Sequence, residues 1–422
     1  MENRDAVMCW VGVDWGGKEH AVCVLDSQGV VVSRLRVKHS PQGLATLVEW
    51  LRNFGPIGGV AVESTRNLVV HALSAANFTV YPINPKLSCQ WRKAWSVSEA
   101  KDDERDAEVL ADGLMHRYEH LQPLLPDTEI ARELALLCED EVRLINDRTC
   151  LVQKLEDTLK QYYPAALEWF GDWATPNAWA FVLKFSTPAA LAEASRQKVY
   201  GFIKAHRLKY TPARRTLIES RSNATDWPCD EATIRAKSLL AVTLAKQLEG
   251  LERSLKKYRK RIEALFNKHA DSPIFESLPG TGPKLAPRLS ASFGSNRSRF
   301  DSARAVQQLS GTAPVTHQSG KRKHVTIRRA CQKGFRATLY HFAWHSKRRS
   351  AWAKACYDLA KERGQSHSQA LRVLANKWNK IIYRMWQTGE TYDEQRYIDQ
   401  LIRKRSPIAQ KMGLLKTGTQ CG

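Results

Sequence analysis

Four carboxylate residues near the start of the chain have the types and spacing to hold a divalent metal ion. Asp14 follows the apolar stretch WVGV and Glu63 ends the stretch GGVAVE, so each is expected at the end of a short buried strand, where side chains commonly face ligands. Asp103 and Asp106 are three residues apart and would lie on one face of a helix. Such oxygen ligands suit Mg²⁺ or Mn²⁺, and two ions about 4 Å apart can support in-line phosphoryl transfer.

The two helical acids belong to an unusual run, SEAKDDERDAEVLAD, which holds seven carboxylates between Ser98 and Asp112. Such a run is usually a solvated helix face, and we expect most of its acids to be that. Asp106 borders the apolar stripe of the helix, where a carboxylate is costly unless a cation neutralises it. Asp102 is the alternative to Asp103 as third ligand. For Asp14, the ordinary alternative is a turn-forming residue.

Ser319, in the polar segment HQSGK, is the candidate nucleophile. A serine that attacks a phosphodiester needs cations to stabilise the developing charge, and activation by a base or metal. The segment around it supplies cations, namely Lys321, Arg322, Lys323, Arg328, Arg329 and Lys333. A Ser-Gly pair in a loop, taken alone, is more often a simple turn.

The segment LPGTGPK is a candidate phosphate-binding turn. In a helix-hairpin-helix arrangement the backbone N–H groups at the start of the second helix bind a DNA phosphate, and Gly280, Gly282 and Lys284 fit that role. Arg336, in KGFRATL, is a similar candidate. The alternative is that the Pro-Gly-x-Gly turn only bends the chain.

The charge of the chain is segregated along its length. The whole chain of 422 residues carries a net charge of +22, yet residues 1–120 hold 13 basic and 15 acidic residues. Residues 271–380 hold 21 basic residues against 5 acidic ones. Such a segment is the electrostatic footprint of a protein that binds a phosphate backbone. Charge alone does not distinguish DNA from RNA.

Strand and helix signals alternate through the first 125 residues. Three strands broken by Gly-containing turns precede helix, strand, helix, strand and then the acidic helix, which predicts a mixed sheet with helices packed on it. From Ile130 leucines recur at heptad-like spacing, and a second seam runs from Leu244 to Leu265. These seams favour an antiparallel helical hairpin, with an intermolecular coiled coil as the alternative.

Between the two seams lies a segment rich in tryptophan, from Trp169 to Trp227. It favours a small core over a base-stacking platform. The basic region that follows predicts helix, turn and helix, then a capped helix, a polar loop, one short strand and a long helix. Beyond Asp399 we expect a mobile basic tail.

The sequence favours a cytosolic protein that crosses no membrane. No apolar run approaches the roughly 18 residues that span a bilayer, and the first residues lack a signal-peptide pattern. The nine cysteines form no CxxC pair, and no HExxH occurs. We therefore expect reduced thiols and no structural zinc.

An ordered set of motifs resembles that of the DEDD insertion-sequence transposases. VGVDWGGK, VAVEST, YPINP and AKDDERDAEVLAD resemble the RuvC-like (RNase H-like) N-terminal domain of that family. LPGTGPKLAPRL, RSRF, LSGTAPVTHQSGKRK and KGFRATL resemble its serine-containing C-terminal transposase domain. Each motif is common alone, but their order is specific. The family includes the bridge-RNA-guided recombinases.

The resemblance implies an α/β RuvC-like mixed-sheet domain, a long helical coiled-coil insertion and a mainly α C-terminal transposase domain. The expected boundaries are 1–128, 129–270, 271–398 and a tail at 399–422. The metal ligands it implies are Asp14, Glu63, Asp103 and Asp106, with Ser319 as the catalytic serine. This chain departs from the family pattern in two places, with Lys101-Asp102-Asp103 for the usual Lys-Thr-Asp and with Arg66 for the usual Gly.

The activity implied is a DNA transposase or recombinase that exchanges strands through a phosphoserine link to DNA. Its expected partners are donor and target double-stranded DNA, a guide (bridge) RNA, and copies of itself, as dimers that assemble to a tetramer. The acids and the serine fall in different domains, so the site can be assembled between protomers. Two alternatives stay open: a RuvC-type hydrolytic nuclease or junction resolvase, and a nucleic-acid scaffold without catalysis.

Overall fold

The computed structural model describes residues 8–95, 102–320 and 322–415. The chain divides into two compact units, Met1–Pro126 and Asp127–Gly422. Each unit has buried hydrophobic clusters of its own.

The first unit is a five-stranded sheet with helices on it. Its elements are β1 (Cys9–Trp15), β2 (Glu19–Leu25), β3 (Val31–Lys38), α1 (Pro41–Arg52), β4 (Ile57–Val62), α2 (Leu68–Ala75), β5 (Val80–Pro82), α3 (Pro85–Trp95) and α4 (Asp103–Met115). The predicted mixed α/β fold is confirmed. Helix α3 was not predicted, because only Ser88 and Trp91 of it are buried and its apolar periodicity is correspondingly weak.

The sheet has the strand order β3-β2-β1-β4-β5. Strand β1 is antiparallel to β2 and parallel to β4, which in turn is parallel to β5. Val11 and Val13 pack in one cluster with Leu47 of α1 and Val70 of α2. On the other face Trp10 packs with buried residues of α3 and α4. Helices thus cover both faces, which explains why β1 is apolar almost throughout.

The second unit begins with two long helices separated by a small helical subdomain. The long helices are α5 (Glu129–Tyr162) and α10 (Glu231–Phe266), and the helices between them are α6 (Pro176–Lys184), α7 (Pro188–Ala192), α8 (Arg196–Ala205) and α9 (Pro212–Glu219). Arg148 lies 2.9 Å from Glu252, and Arg261 lies 2.7 Å from Glu133. Residues later in α5 therefore pair with residues earlier in α10, so the two helices run antiparallel.

Three of the four tryptophans of the middle segment are core residues, whereas Trp227 is exposed. Trp169, Trp173 and Trp179 are at most 4% exposed and belong to one cluster with residues of both long helices. The indole N–H of Trp179 donates to the carbonyl of Trp173 at 2.7 Å. Buried rings cannot stack on bases, so the structure favours the small-core interpretation for these three.

The remainder of the second unit is mainly helical. Its elements are α11 (Ser272–Glu276), α12 (Gly282–Phe293), α13 (Ala303–Leu309), β6 (Val315–Ser319), β7 (Arg322–Thr326), α14 (Lys333–Ser346), α15 (Ala351–Glu362), α16 (His367–Thr388), α17 (Glu394–Arg403) and α18 (Pro407–Lys411). The expected mobile tail from 399 differs from the structure, in which Leu401, Ile408 and Ala409 lie in the hydrophobic core. Residues 416–422 lie outside the described part.

No helix in the described ranges combines the length and the apolar character needed to cross a bilayer. The cysteines described are all free thiols. Burial raises the pKa of the Cys23 thiol to about 11 and that of Cys138 to about 12. These buried thiols are therefore poor nucleophiles at neutral pH.

Candidate functional site

The register of two parallel strands places Asp14 beside Glu63. Val13 of β1 lies opposite Val62 of β4, and the two carboxylates are the next residues of their chains. Both strands end at the same edge of the sheet because they are parallel. Each carboxylate is half-buried. The two predicted strand-end acids are thus neighbours, although they are 49 positions apart in the chain.

Helix α4 covers the face of the sheet on which these acids lie. A Cβ atom at Gly12 would stand 1.9 Å from the carbonyl oxygen of Ala107 and 2.6 Å from the amide nitrogen of Ala111, so strand and helix are in direct backbone contact. Asp14 is two residues beyond Gly12 and therefore faces the same side. Only glycine permits this approach.

The direction of α4 brings its first turn to the level of Asp14. Leu114 would stand 3.2 Å from a Cβ atom at Gly59, which pairs with Trp10, while Gly12 meets Ala107 and Ala111. Helix and strand therefore run in opposite directions. Two strand residues advance about 6.6 Å, which equals about four helix residues. The residue level with Asp14 is therefore close to Asp103, at the helix start.

Helix α3 holds two of the four acids by side-chain contacts. Arg92 Nε lies 2.6 Å from Asp106 Oδ1, and Asp106 is only 5% exposed. One helical turn earlier, the hydroxyl of Ser88 donates to Glu63 Oε1. Neither residue was predicted. Pro85 at the first position of α3 was the available signal, since proline favours that position, and the spacing of four then puts both side chains on one face.

The four carboxylates have the chemistry that a hard divalent cation requires. Their arrangement in this structure does not bring them together around one point. The four carboxylates supply only oxygen ligands, which Mg²⁺ and Mn²⁺ favour. Within the described ranges, no three carboxylate, imidazole or thiol groups stand close enough together to bind one ion. Asp103 is exposed at the start of α4, whereas Asp106 is buried against Arg92.

Three other acids of the acidic run have structural partners, while its residues 98–101 lie outside the described part of the chain. Asp102 caps α4, and its side chain accepts a hydrogen bond from the amide of Glu104. Glu104 and Glu108 pair with arginines of β3, at 3.1 Å to Arg36 and 2.5 Å to Arg34. These contacts tie the helix to the sheet. The expected solvated face is in part an ion-paired one.

Ser319 is the last residue of β6 and is exposed. The sequence predicts a polar loop followed by one strand; the structure instead has a hairpin in which Ser319 pairs with Arg322 across the turn. The hairpin was missed because β6 is almost entirely exposed, so the alternation of buried and exposed residues that marks a strand is absent. Gly320, with φ of +55°, makes the turn.

The predicted phosphate-binding cations lie around this hairpin and beyond it. Arg322 and Arg329 are exposed, as is Lys333 at the start of α14. Arg328 is half-buried, and its carbonyl accepts a hydrogen bond of 3.3 Å from the Arg336 guanidinium. Lys321 lies outside the described residues, as does the side chain of Lys323.

The segment LPGTGPK forms the turn between α11 and α12, as predicted. Gly280 has φ of +86°, and a Cβ atom there would stand 3.1 Å from the backbone of His345, so glycine is needed on both counts. The Thr281 hydroxyl donates to the carbonyl of Leu278 at 3.0 Å. Gly282 and Lys284 are exposed. A cavity of about 190 Å³ beside the turn is lined by two glutamates, Glu263 and Glu276. Their negative charge disfavours the binding of a phosphate there.

Comparison with known proteins finds a family match in the N-terminal part of the chain and another in the C-terminal part. A profile for the DEDD transposases of the IS110 group matches residues 11–164. A second profile, described as the transposase IS116/IS110/IS902 family, matches residues 272–358. The first range contains the four carboxylates and the second contains Ser319.

Similar proteins match over nearly the full length. A candidate mini-circle transposase for IS117 from Streptomyces coelicolor is 32% identical over 95% of this chain and 99% of its own. An uncharacterized protein of insertion element IS116 from Streptomyces clavuligerus is 25% identical, over 89% of this chain and 94% of its own. One of insertion element IS900 from Mycobacterium paratuberculosis is 25% identical, over 91% and 96%. The chain belongs to the IS110 family of DEDD transposases, enzymes that act on DNA.

Proposed function

We propose that this transposase exchanges DNA strands through a covalent phosphoserine intermediate at Ser319, with divalent metal ions held by Asp14, Glu63, Asp103 and Asp106. The N-terminal unit would then be a RuvC-like domain. The observation that carries the proposal is the parallel register of Val13 and Val62, which puts two carboxylates side by side on the face covered by α4.

Each of the proposed ligands has a distinct environment. Asp14 and Glu63 are fixed by strands, and Asp106 is fixed by its burial and by Arg92. Asp103 is exposed at the first turn of α4. When bound, Mg²⁺ or Mn²⁺ supplies Lewis acidity that polarises the scissile phosphate and lowers the pKa of a coordinated hydroxyl.

The chemistry of the serine is a transesterification. The Ser319 oxygen forms a bond to the phosphorus, the bond from phosphorus to the deoxyribose oxygen breaks, and the serine proton is lost as the released hydroxyl gains one. A hydroxyl of another strand then attacks the phosphoserine and restores Ser319. One phosphodiester bond is exchanged for another, so no external energy source is required. Arg322, which is exposed and pairs with Ser319 across the hairpin turn, would stabilise the developing charge.

We further propose a guide (bridge) RNA and a tetramer acting on donor and target duplexes. Support comes from the family to which the chain belongs and from its strongly basic second half. Residues 271–380 hold 21 basic residues and 5 acidic ones, which suits a protein that contacts more than one nucleic-acid backbone.

The test is to trap the protein–DNA adduct. The full chain is incubated with Mg²⁺ and labelled element-end DNA, with and without the RNA that copurifies, and then denatured. We expect labelled DNA to remain on the protein, to be lost in Ser319→Ala, and to persist in the control Thr316→Ala, an exposed hydroxyl on the same strand. Formation of the adduct only when the RNA is present would support the guide-RNA proposal.

Two outcomes would overturn the proposal. Cleavage that survives in Ser319→Ala would indicate a hydrolytic nuclease or junction resolvase, in which metal-activated water is the nucleophile. Binding without any cleavage, retained in Asp14→Ala, would indicate a scaffold without catalysis.

A further inference from the structure

A cavity of about 920 Å³ in the second unit has the features of a nucleic-acid groove. Its walls are α16 and α17, and the base of the β6–β7 hairpin, at Val325 and Thr326, forms one end. The volume is in the range of pockets that enclose a ligand rather than of shallow surface dimples. None of the phosphate-binding residues predicted from the sequence lines it.

Positive charge dominates this cavity. The cations that line it are Arg372, Lys377, Lys380, Arg384, Arg396 and Lys404. The acids that line it are Glu390 and Asp393, and both have partners. Glu390 accepts a hydrogen bond from Arg396 at 2.9 Å, and Asp393 caps α17 by accepting one from the amide of Arg396.

Four of the cations are left to attract an anion. Among the described residues no carboxylate lies within ion-pair distance of Lys377, Lys380, Arg384 or Lys404. The first three follow one another along α16 at spacings of three and four residues, which puts them on one helix face. They extend over about 10 Å of the helix axis. A row of cations of this kind matches a row of phosphates better than a single anion.

The uncharged groups of the cavity suit the other parts of a nucleotide. Gln400 offers an amide donor and acceptor for base edges. Gln369 and Asn376 offer their amide N–H groups, since their oxygens already accept hydrogen bonds from Ser366 and Thr312. A cavity of about 920 Å³ has room for only a few nucleotides, so it is better matched to a flexible strand than to the much larger body of a duplex. A single strand, whose backbone and bases can follow the walls, fits this combination.

The hairpin relates this cavity to the candidate nucleophile. Thr326, which lines the cavity, pairs with Val315 at one end of the hairpin, and Ser319 pairs with Arg322 at the other. Ser319 lies four positions beyond Val315 on the same strand, a distance of about 13 Å. A strand bound in the cavity would thus leave it beside the element that carries Ser319.

We propose that this groove binds an unpaired nucleic-acid segment next to Ser319, with the backbone phosphates on Lys377, Lys380, Arg384 and Lys404. The proposal rests on the proposed function for the nature of the ligand, a nucleic acid. It adds which surface of the protein binds that ligand and that the bound segment is single-stranded. DNA and RNA share the phosphate chemistry, so the experiment includes both.

The test measures binding without catalysis. In a Ser319→Ala background with EDTA, fluorescence anisotropy follows labelled DNA and RNA oligonucleotides of about 12 nucleotides, and a duplex of the same length. Lys380→Glu with Arg384→Glu is compared with Arg363→Glu with Arg403→Glu, which changes the charge equally at exposed residues outside the groove. Lys404→Glu, at the end of α17, is an independent variant that leaves the sequence of α16 unchanged.

We expect the groove variants to weaken single-strand binding about tenfold or more and the control pair to weaken it less than about threefold. The slope of log affinity against log salt should fall by about 1.4 for the double variant, at about 0.7 per phosphate contact. The oligonucleotide with the larger loss identifies the ligand as DNA or RNA. An equal loss of single-strand affinity in groove and control variants, or a loss of affinity confined to the duplex, would overturn the proposal. Because neither metal nor serine is needed, failure of the adduct experiment leaves this result intact.

Discussion

Arg92 Nε lies 2.6 Å from Asp106 Oδ1 and neutralises the most deeply buried of the four candidate ligands. We predict that Arg92→Ala lowers the free energy of unfolding by about 1 to 3 kcal/mol, because it leaves a buried carboxylate without its cation. Chemical denaturation followed by tryptophan fluorescence measures this change. Lys93→Ala, an exposed neighbour, is the control and should change stability by less than about 0.5 kcal/mol. Equal stability of the two variants would contradict the assigned ion pair.

Added metal should compensate for the missing guanidinium. We predict that Mg²⁺ or Mn²⁺ raises the melting temperature of Arg92→Ala more than that of the wild type, since the ion supplies positive charge to the same carboxylates. Differential scanning calorimetry with and without metal measures the two shifts. Asp14→Asn should remove most of the effect. A shift that persists in Asp14→Asn would mean that the ion binds elsewhere.

Gly12 allows α4 to lie directly on β1. We predict that Gly12→Ala destabilises the protein by about 1 to 3 kcal/mol or more, because the new methyl group would meet the Ala107 carbonyl and the helix must move away. Gly17→Ala is the matched control, since nothing lies within 4 Å of a Cβ atom there. Thermal unfolding of both variants checks the difference. An unchanged melting temperature for Gly12→Ala would show that strand and helix are not in contact.

Substitutions of the three acids at the start of α4 should differ in their effect on strand transfer. We predict that Asp103→Asn and Asp106→Asn each abolish strand transfer, because an amide is a poor ligand for a hard cation. Asp102→Asn should be tolerated, since Asn caps a helix as well as Asp does and Asp102 is the capping residue. An assay that joins labelled donor and target DNA compares the three. Loss of activity in Asp102→Asn with activity retained in Asp103→Asn would reverse the ligand assignment.

Glu141 connects three helices of the second unit. Its carboxylate, 2% exposed, accepts hydrogen bonds from Arg259 of α10 at 3.1 Å and Arg288 of α12 at 2.8 Å. We predict that Glu141→Ala costs about 3 kcal/mol, because Arg288 loses its counter-charge and, among the described residues, Arg259 keeps only Glu252, at 3.2 Å. Glu139→Ala, at an exposed ion pair on the same helix, should cost less than about 1 kcal/mol. Urea unfolding of both variants provides the comparison.

DNA binding should depend strongly on salt. Many lysine and arginine contacts to phosphates release counterions, so we predict that log affinity falls steeply and linearly with log salt concentration. Titrations of duplex DNA at several salt concentrations measure the slope. A flat response would contradict the role of the basic second half as a DNA-binding surface.

Several elements of the first unit could be predicted because their signals are local. The three opening strands, α1 and the strand that precedes Glu63 show apolar runs bounded by glycine or proline, and the structure has them at those places. Helix α3 lacks such a pattern, since only two of its residues are buried. The hairpin of Ser319 lacks it too, since its residues are largely exposed.

The sequence by itself determined which residues stand at strand ends and helix starts, and so which carboxylates were candidates. Only the tertiary structure decided that Asp14 adjoins Glu63, that Ser88 and Arg92 hold two of the acids, and that a basic groove lies between α16 and α17. The physical reason is that periodicity reports the burial of each element along the chain. Contacts between residues distant in sequence depend on strand order, register and helix packing, which no local pattern encodes.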